Sequence, residues 1–241
     1  LLRQLGVGIF GRFVGLALFA LNLNILYMQS TAMTELLLLA TMTAGVYELL
    51  MWHRDGAIFR LIKSAFWIML STLIRYDGWF LFLFAAGLII VQTIRKQGYK
   101  ATEGMLVLFC TLGGFGIFLW LLWNQMIFKD MFYFAFGPYS ANAQQLQLED
   151  AGVLATKKNL GLSLQTYLYA MIYNAGLFQL ILAAFGAVML WKDKHIEPRV
   201  RIATTALLAP FFFNVLALYL GHSVLYVQGI VGSSWFNMRY G

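Results

Sequence analysis

The sequence predicts an all-α fold, a polytopic bundle of transmembrane helices, and three observations carry that prediction. Only 11% of the 241 residues are charged while 61% are hydrophobic, against about 25% charged in a soluble domain. Apolar runs long enough to cross a bilayer recur along the whole chain. The basic residues collect in alternate connections between those runs.

Each crossing needs roughly 17–25 mostly apolar residues. Seven runs approach that length: Val7–Leu21, Met33–Trp52, Ile58–Ile74, Gly78–Ile94, Gly104–Phe128, Leu164–Trp191 and Ile202–Leu220. The first is short and carries Arg12, so it is expected to continue upstream of Leu1 or to lean on protein. No alternating strand pattern is present, and unpaired backbone is not tolerated in lipid, so the runs read as helices. The predicted organisation is one transmembrane domain over residues 1–241, with an extracytoplasmic loop at 129–163.

The connections set the orientation. One set is basic: His53-Arg54 with Arg60 and Lys63, then Arg95-Lys96 with Lys100, then Lys192, Lys194, Arg199 and Arg201. The positive-inside rule places these in the cytoplasm. The other set comprises Asn22–Thr34, Arg75-Tyr76-Asp77, Lys129–Ser163 and the tail from Gly221, all extracytoplasmic. This topology explains the +7 net charge and excludes nucleic acid as the partner it would otherwise indicate. Trp52, Trp79, Trp123 and Trp191 fall near span ends, where interfacial aromatics belong.

Smaller features follow. Pro198 ends a cytoplasmic loop, and Pro210 is expected to kink the last span. Gly113-Gly114-Phe115-Gly116 lies within a span and reads as a close helix-packing face rather than a phosphate loop, because no strand precedes it. The single cysteine, Cys110, lies in an apolar run and reads as a small core residue. The chain begins Leu1-Leu2-Arg3 and ends just after an aromatic and basic cluster, so it reads as a piece of a longer protein.

The outer connections hold the unusual polar chemistry. Asn22–Glu35 joins two spans. Thr31 or Thr34 is expected to cap the second, with Glu35 in its first turn, where the helix dipole stabilises a carboxylate. That placement also suits a carboxylate held at the membrane face to bind a cation or take a proton. Arg75-Tyr76-Asp77-Gly78-Trp79 sits between two spans on the same side. Arg75 and Asp77 there form either a local pair closing a tight helical hairpin or a guanidinium that neutralises a phosphate. In the long loop, Phe136-Gly137-Pro138-Tyr139-Ser140-Ala141-Asn142-Ala143-Gln144-Gln145 offers a turn and amide side chains suited to sugar hydroxyls. The tail contributes His222 and then Trp235-Phe236-Asn237-Met238-Arg239-Tyr240. His222 is a candidate divalent-metal ligand if paired with Glu35. Arg239 is a second candidate for a phosphate.

On these residues the sequence resembles the GT-C membrane glycosyltransferases. The likeness is to the protein O-mannosyltransferase and aminoarabinose-transferase-like superfamily, glycosyltransferase family 39. The family pattern runs from an arginine-containing span into Asn-Pro-Asn-x-Leu-Tyr and Ser-Thr-x-Met-Thr-Glu. It continues through Arg-Tyr-Asp/Glu-Gly-Trp, Gly-Pro-Tyr-Ser-Ala and Asn-x-Arg-Tyr-Gly. All five appear in order between Arg12 and the end of the chain, with Leu23 and Leu36 standing where the family has proline.

The resemblance implies an inverting transferase in the bacterial inner membrane, with its active face extracytoplasmic. It would move a sugar from a polyprenyl-phosphate donor to a protein, lipid or glycan acceptor. Glu35, Arg75 and Asp77 would be catalytic. Arg239, Tyr240, Asn237, Tyr139, Gln144 and Tyr27 would contact substrate, and Glu35 with His222 would hold any divalent metal. The family's acidic residue, its base or site organiser, would lie in an outer loop before Leu1. Two rival readings use the same residues: a transporter or flippase of a lipid-linked glycan, and a non-catalytic subunit whose charged groups point to different places.

Overall fold

The computed structural model describes residues 1–138, 140–150 and 154–236, with the side chains of 95, 96, 141, 142, 144, 233 and 234 left aside. The described chain is predominantly helical. In order it forms α1 (Ile9–Ala20), α2 (Leu23–Ser30), α3 (Glu35–Asp55), α4 (Ile58–Ile74), α5 (Tyr76–Phe128), α6 (Tyr133–Phe136), α7 (Ala141–Asp150), α8 (Leu160–Ala175), α9 (Leu177–Lys192), α10 (Pro198–Thr204), a 3-10 turn at Thr205–Leu208, α11 (Ala209–Leu220), β1 (Tyr226–Val227) and β2 (Val231–Phe236).

Among the described residues four helical stretches are long and apolar enough to cross a membrane: Glu35–Asp55, Tyr76–Ile94, Gln97–Phe128 and Pro198–Leu220. The number rises to six if each of two bent helix pairs is one span, against the seven runs read from the sequence. Three differences account for this. The first apolar run forms only the 12-residue α1, and α2 follows it at 56° because the Asn22 side chain starts a new helix. It accepts from the Asn24 and Ile25 amides at 2.9 and 3.1 Å. The run Leu164–Trp191 bends by 108° at Gly176, whose φ of 91° an L side chain rarely adopts. The run Ile58–Ile74 forms α4, of 17 residues, at the short limit for a crossing.

Two parts of the outer connections, read from the sequence as a loop and a tail, carry regular structure. The 129–163 connection carries helices α6 and α7. The tail forms a small antiparallel hairpin, Val227 opposite Val231 and Tyr226 opposite Phe236. Its register is irregular between Tyr226 and Val227, which obscures the period-2 pattern that reveals a strand.

The chain divides into two compact units. One comprises Leu1–Leu119 with Phe185–Pro210, the other Trp120–Ala184 with Phe211–Gly241.

The first unit is built on the antiparallel pair α3 and α4. Gly56 ends α3 in the left-handed conformation, and its amide bonds the Trp52 carbonyl at 2.8 Å. The Asp55 carboxylate then accepts from the Ala57 amide at 2.9 Å, and α4 begins. Small residues let the helices approach, as packing without a hydrophobic driving force requires. A Cβ on Gly45 would stand 2.8 Å from Ile68 Cγ1, and Ser64 Oγ donates to the Gly45 carbonyl at 2.9 Å. Val46, Leu49, Leu61, Ala65 and Ile68 are fully buried there, joined by Leu81, Ala85, Ile89 and Phe109 of α5.

The glycine-rich stretch is a packing face, as its sequence predicted. A Cβ on Gly116 would overlap Thr72 of α4 and crowd the Met69 carbonyl, and one on Gly113 would press on the Phe82 ring at 3.1 Å. Helix α5 itself turns at Gly98, whose φ of 76° and ψ of 177° are not helical. Pro198 opens α10 at its first turn, and the 3-10 turn stands immediately before Pro210, where the missing proline amide interrupts regular bonding. Trp52 departs from its interfacial assignment: it is buried at 3% exposure in the unit's core, against His53, with ring centroids 4.6 Å apart.

In the second unit Tyr167 and Ala170 of α8 pack with Val215, Leu218 and Leu225. Tyr167 meets Phe211 edge-on at 5.6 Å, and Tyr173 meets Trp235 at 4.7 Å.

Candidate functional site

The α3–α4 hairpin determines where the charged residues go. Glu35 lies about twenty residues before the Gly56 turn and Arg75 about as far after it. At about 1.5 Å rise per residue the two arms are of equal length, so the ends stand level. Arg75 Nη1 donates to Glu35 Oε1 at 2.9 Å, and Arg75 Nε donates to Asp77 Oδ2 at 3.2 Å. One guanidinium therefore meets two carboxylates at the end of the unit where α3 starts, α4 stops and α5 starts. The three side chains retain 13% (Glu35), 23% (Arg75) and 8% (Asp77) of their exposure. They are shielded enough for charge to matter and open enough to be reached.

Each residue of Arg75-Tyr76-Asp77-Gly78-Trp79 has a local reason to be there. Arg75 caps α4 in an extended conformation, φ −157° and ψ 161°, which stops the helix. Tyr76 and Asp77 open α5, placing Asp77 in a first turn whose dipole favours a carboxylate. Gly78 passes so close to α4 that a Cβ would overlap the Ser71 carbonyl. Trp79 turns back and its indole N–H donates to the Thr72 carbonyl at 2.9 Å, while Tyr76 meets the Trp79 ring edge-on at 5.4 Å. The pentapeptide is thus a tight inter-helix turn that also delivers a charged pair.

Glu35 occupies the first turn of α3 as expected, but neither threonine hydroxyl caps that helix. Thr34 is the N-cap residue in helical conformation, without a side-chain cap bond. Thr31 Oγ1 instead donates to the Tyr27 carbonyl at 3.0 Å, terminating α2. The dipole and Arg75 therefore hold Glu35 without a capping box.

With both acids ionised, the triad carries one positive and two negative charges. Both carboxylates sit at helix N-termini and grip the guanidinium from two sides, so Arg75 is fixed in orientation before any ligand arrives. Planar forked donors suit such pairing, and the same geometry matches phosphate oxygens.

Other sequence candidates fall elsewhere. Tyr27 lies in α2 with its ring 53% exposed. His222 belongs to the second unit, where its Nδ1 stands 3.0 Å from Gln145 Oε1. Gln144 lies in α7 with its side chain outside the described residues. Tyr139, Asn237, Arg239 and Tyr240 also lie outside the described residues. Among the described residues no three His, Cys, Asp or Glu side chains stand together as metal donors, and Glu35 already meets a guanidinium. The described donors therefore do not complete a metal site.

Sequence reading passed over three further pairings. Glu48, 9% exposed within α3, accepts from Arg60 Nη1 at 2.9 Å. An acid inside an apolar run was the available signal, since such a residue requires a partner. In the second unit Gln145 and Glu149 lie four residues apart on α7, one face of a helix, and meet His222 and Lys157 respectively. That spacing was visible, but the identity of the α7 helix within a presumed loop was not.

No family model matches the chain, and no curated protein or solved structure matches it.

Proposed function

We propose that this chain is the membrane-embedded part of a GT-C-type glycosyltransferase. It would transfer a sugar from a polyprenyl-phosphate donor to an acceptor at the extracytoplasmic face of the bacterial inner membrane. The observation that carries this reading is the convergence of Glu35, Arg75 and Asp77, 42 residues from first to last in sequence, at one end of a unit built from apolar helices. The resemblance of Met33-Thr34-Glu35 and Arg75-Tyr76-Asp77-Gly78-Trp79 to the family pattern points to the same residues.

The chemistry follows from charge. As the acceptor attacks the anomeric carbon with inversion, the bond from that carbon to the phosphate oxygen breaks, and polyprenyl phosphate departs with added negative charge. A guanidinium aimed beforehand at that oxygen stabilises the transition state more than the ground state, which is where rate is gained. Glu35 and Asp77 orient Arg75. The acid that accepts the acceptor's proton belongs, on the family pattern, to an outer loop preceding Leu1. Arg239, Asn237, Tyr240, Tyr139, Gln144 and Tyr27 are proposed to contact the donor or acceptor.

A specific observation also favours transport of a lipid-linked glycan: the described residues include two bent helix pairs, at 56° and 108°, and discontinuous helices are the usual sites of transporters. One experiment separates the readings. The full-length protein is reconstituted in vesicles with a polyprenyl-phosphate sugar labelled in the sugar. A transferase releases the label from the lipid; a flippase moves it across the bilayer still attached. In the transferase case Arg75→Lys, which keeps the charge but loses the fork, lowers kcat about 10²–10³-fold while the protein still inserts. Unchanged turnover in both Arg75→Lys and Glu35→Gln removes the triad from the mechanism.

A further inference from the structure

The second unit carries a polar constellation that the proposed chemistry does not use. His222 follows α11, its amide bonded to the Ala217 carbonyl at 2.7 Å, and its ring is exposed. Its Nδ1 lies 3.0 Å from Gln145 Oε1. Gln145 is 8% exposed on α7, a helix fixed at its start by Ser140, whose Oγ accepts from the Ala143 amide at 3.2 Å. One turn further along the same face Glu149 pairs with the Lys157 ammonium. The Lys157 stem lies against Gly221, the residue before His222, within 3.0–3.5 Å of where a Cβ would stand. The turn bearing Lys157 is held in turn, since the Lys158 amide donates to the Tyr219 carbonyl at 2.8 Å and Ser163 Oγ donates to the Thr156 carbonyl at 3.0 Å. Three separate stretches of chain, each anchored by its own hydrogen bonds, thus bring four polar side chains together at the end of α11.

The donor and acceptor pattern selects the ligand. A carbonyl oxygen only accepts, so the Gln145 contact makes Nδ1 the donor and leaves Nε2 of the neutral imidazole as a lone-pair acceptor. Among the described residues Nε2 has no hydrogen-bond partner. Lys157 has three N–H donors with one committed to Glu149, and Glu149 adds carboxylate lone pairs. The array therefore alternates acceptor, donor, acceptor, with the ammonium and carboxylate cancelling in charge. An inorganic anion would meet the lone pairs of Nε2 and Glu149. A divalent cation would meet the Lys157 ammonium with only two candidate ligands. Adjacent hydroxyl groups, each both donor and acceptor, fit all three.

We propose that His222, Gln145, Lys157 and Glu149 form a saccharide subsite that holds a vicinal diol, with Gln145 as the positioning residue that keeps His222 Nε2 facing the ligand. Under the transferase reading this makes the acceptor a glycan, rather than a protein or lipid; the binding itself does not depend on that reading.

The test is saccharide binding by the full-length protein in lipid nanodiscs, measured by saturation-transfer NMR and titration calorimetry. The probes are methyl α-mannopyranoside, methyl β-galactopyranoside and myo-inositol, with inorganic phosphate as the anionic comparison. Saturable binding of at least one sugar, and none of phosphate, is expected. His222→Phe and Gln145→Leu should each weaken it about tenfold, the loss of roughly one hydrogen bond. Gln145→Glu, which keeps an acceptor for Nδ1–H, should restore most of it, which a merely structural role for the residue would not predict. Thermal melting of each variant separates lost binding from lost fold. Sugar binding is read with no polyprenyl donor present, so failure of the transferase reading and failure of this one give different results. Absence of saturable binding by all three sugars overturns the proposal, as does unchanged affinity in both His222→Phe and Gln145→Leu.

Discussion

At the scale of single residues, Arg75 meets an acid 40 residues away and another two residues away. A charge this shielded from water is costly to leave alone. Removing one member of such a pair commonly costs several kcal/mol because the partner stays behind, uncompensated. The clean measurement is a double-mutant cycle with Glu35→Gln and Arg75→Met, read by thermal unfolding in detergent. We expect a coupling of about 0.5–3 kcal/mol between the two sites. Coupling indistinguishable from zero would mean that the 2.9 Å contact is incidental. The sequence identified Glu35, Arg75 and Asp77 as charged groups on one side of the membrane and offered two uses for the arginine. The structure shows that the local pair and the long-range pair coexist on one guanidinium. Alternation of apolar runs reveals which side a residue faces. It does not reveal which two helix ends are neighbours.

At the scale of elements, glycine sets how closely helices pass. Gly116 and Gly78 have no room for a methyl group against α4, whereas Gly87, in the same long helix α5, has open space where a Cβ would be. Alanine at Gly87 is expected to be neutral or to stabilise by up to about 1 kcal/mol through helix propensity. Alanine at Gly116 is expected to lower the melting temperature, and alanine at Gly78 to lower it further, because all three nearest atoms at Gly78 are backbone, whereas at Gly116 the nearest is the Thr72 hydroxyl. A melting temperature for Gly116→Ala equal to that of Gly87→Ala would refute the close packing of α5 on α4. The packing role of Gly113 to Gly116 was legible because small residues within an apolar run have few other uses. The bend at Gly176 was not legible: a lone glycine in an apolar helix is common, and its φ of 91° belongs to the folded chain. The hairpin at 226–236 was missed for a related reason, since an irregular register and glycines at 229 and 232 disguise the strand pattern.

At the scale of the whole molecule, the question is how the chain crosses the membrane. On the positive-inside rule Arg54 and Asp55 are expected on the cytoplasmic side and Tyr76 on the other. With Cys110 replaced by serine, single cysteines at Asp55 and Tyr76 should label from opposite sides with an impermeant maleimide applied to intact cells. Labelling of position 55 alone from the outside would reverse the orientation on which the proposed site depends, and labelling of both would mean that α4 does not cross the bilayer. The same assay at Lys158 and Lys194 would show whether the bent stretch Leu160–Lys192 crosses the bilayer or returns to the side it left. If the bent pair is one span, only Lys158 reacts from outside.

Composition and the spacing of the apolar runs determined, with no coordinates, that the chain is helical with several segments apolar enough to cross a membrane, and which polar residues stand at the ends of those helices. Those properties are local: they depend on the transfer free energy of each segment and on the charge beside it. The tertiary structure decided the rest. It set the pairing of Arg75 with Glu35, the commitment of His222 to Gln145, the bends that leave four to six candidate spans, and the burial of Trp52. The two pairings and the burial of Trp52 depend on contacts between residues far apart in the chain, and the bends on local backbone geometry at Asn22 and Gly176. Such contacts are fixed by turn geometry and by how closely helices can pack, and no window of sequence contains that information.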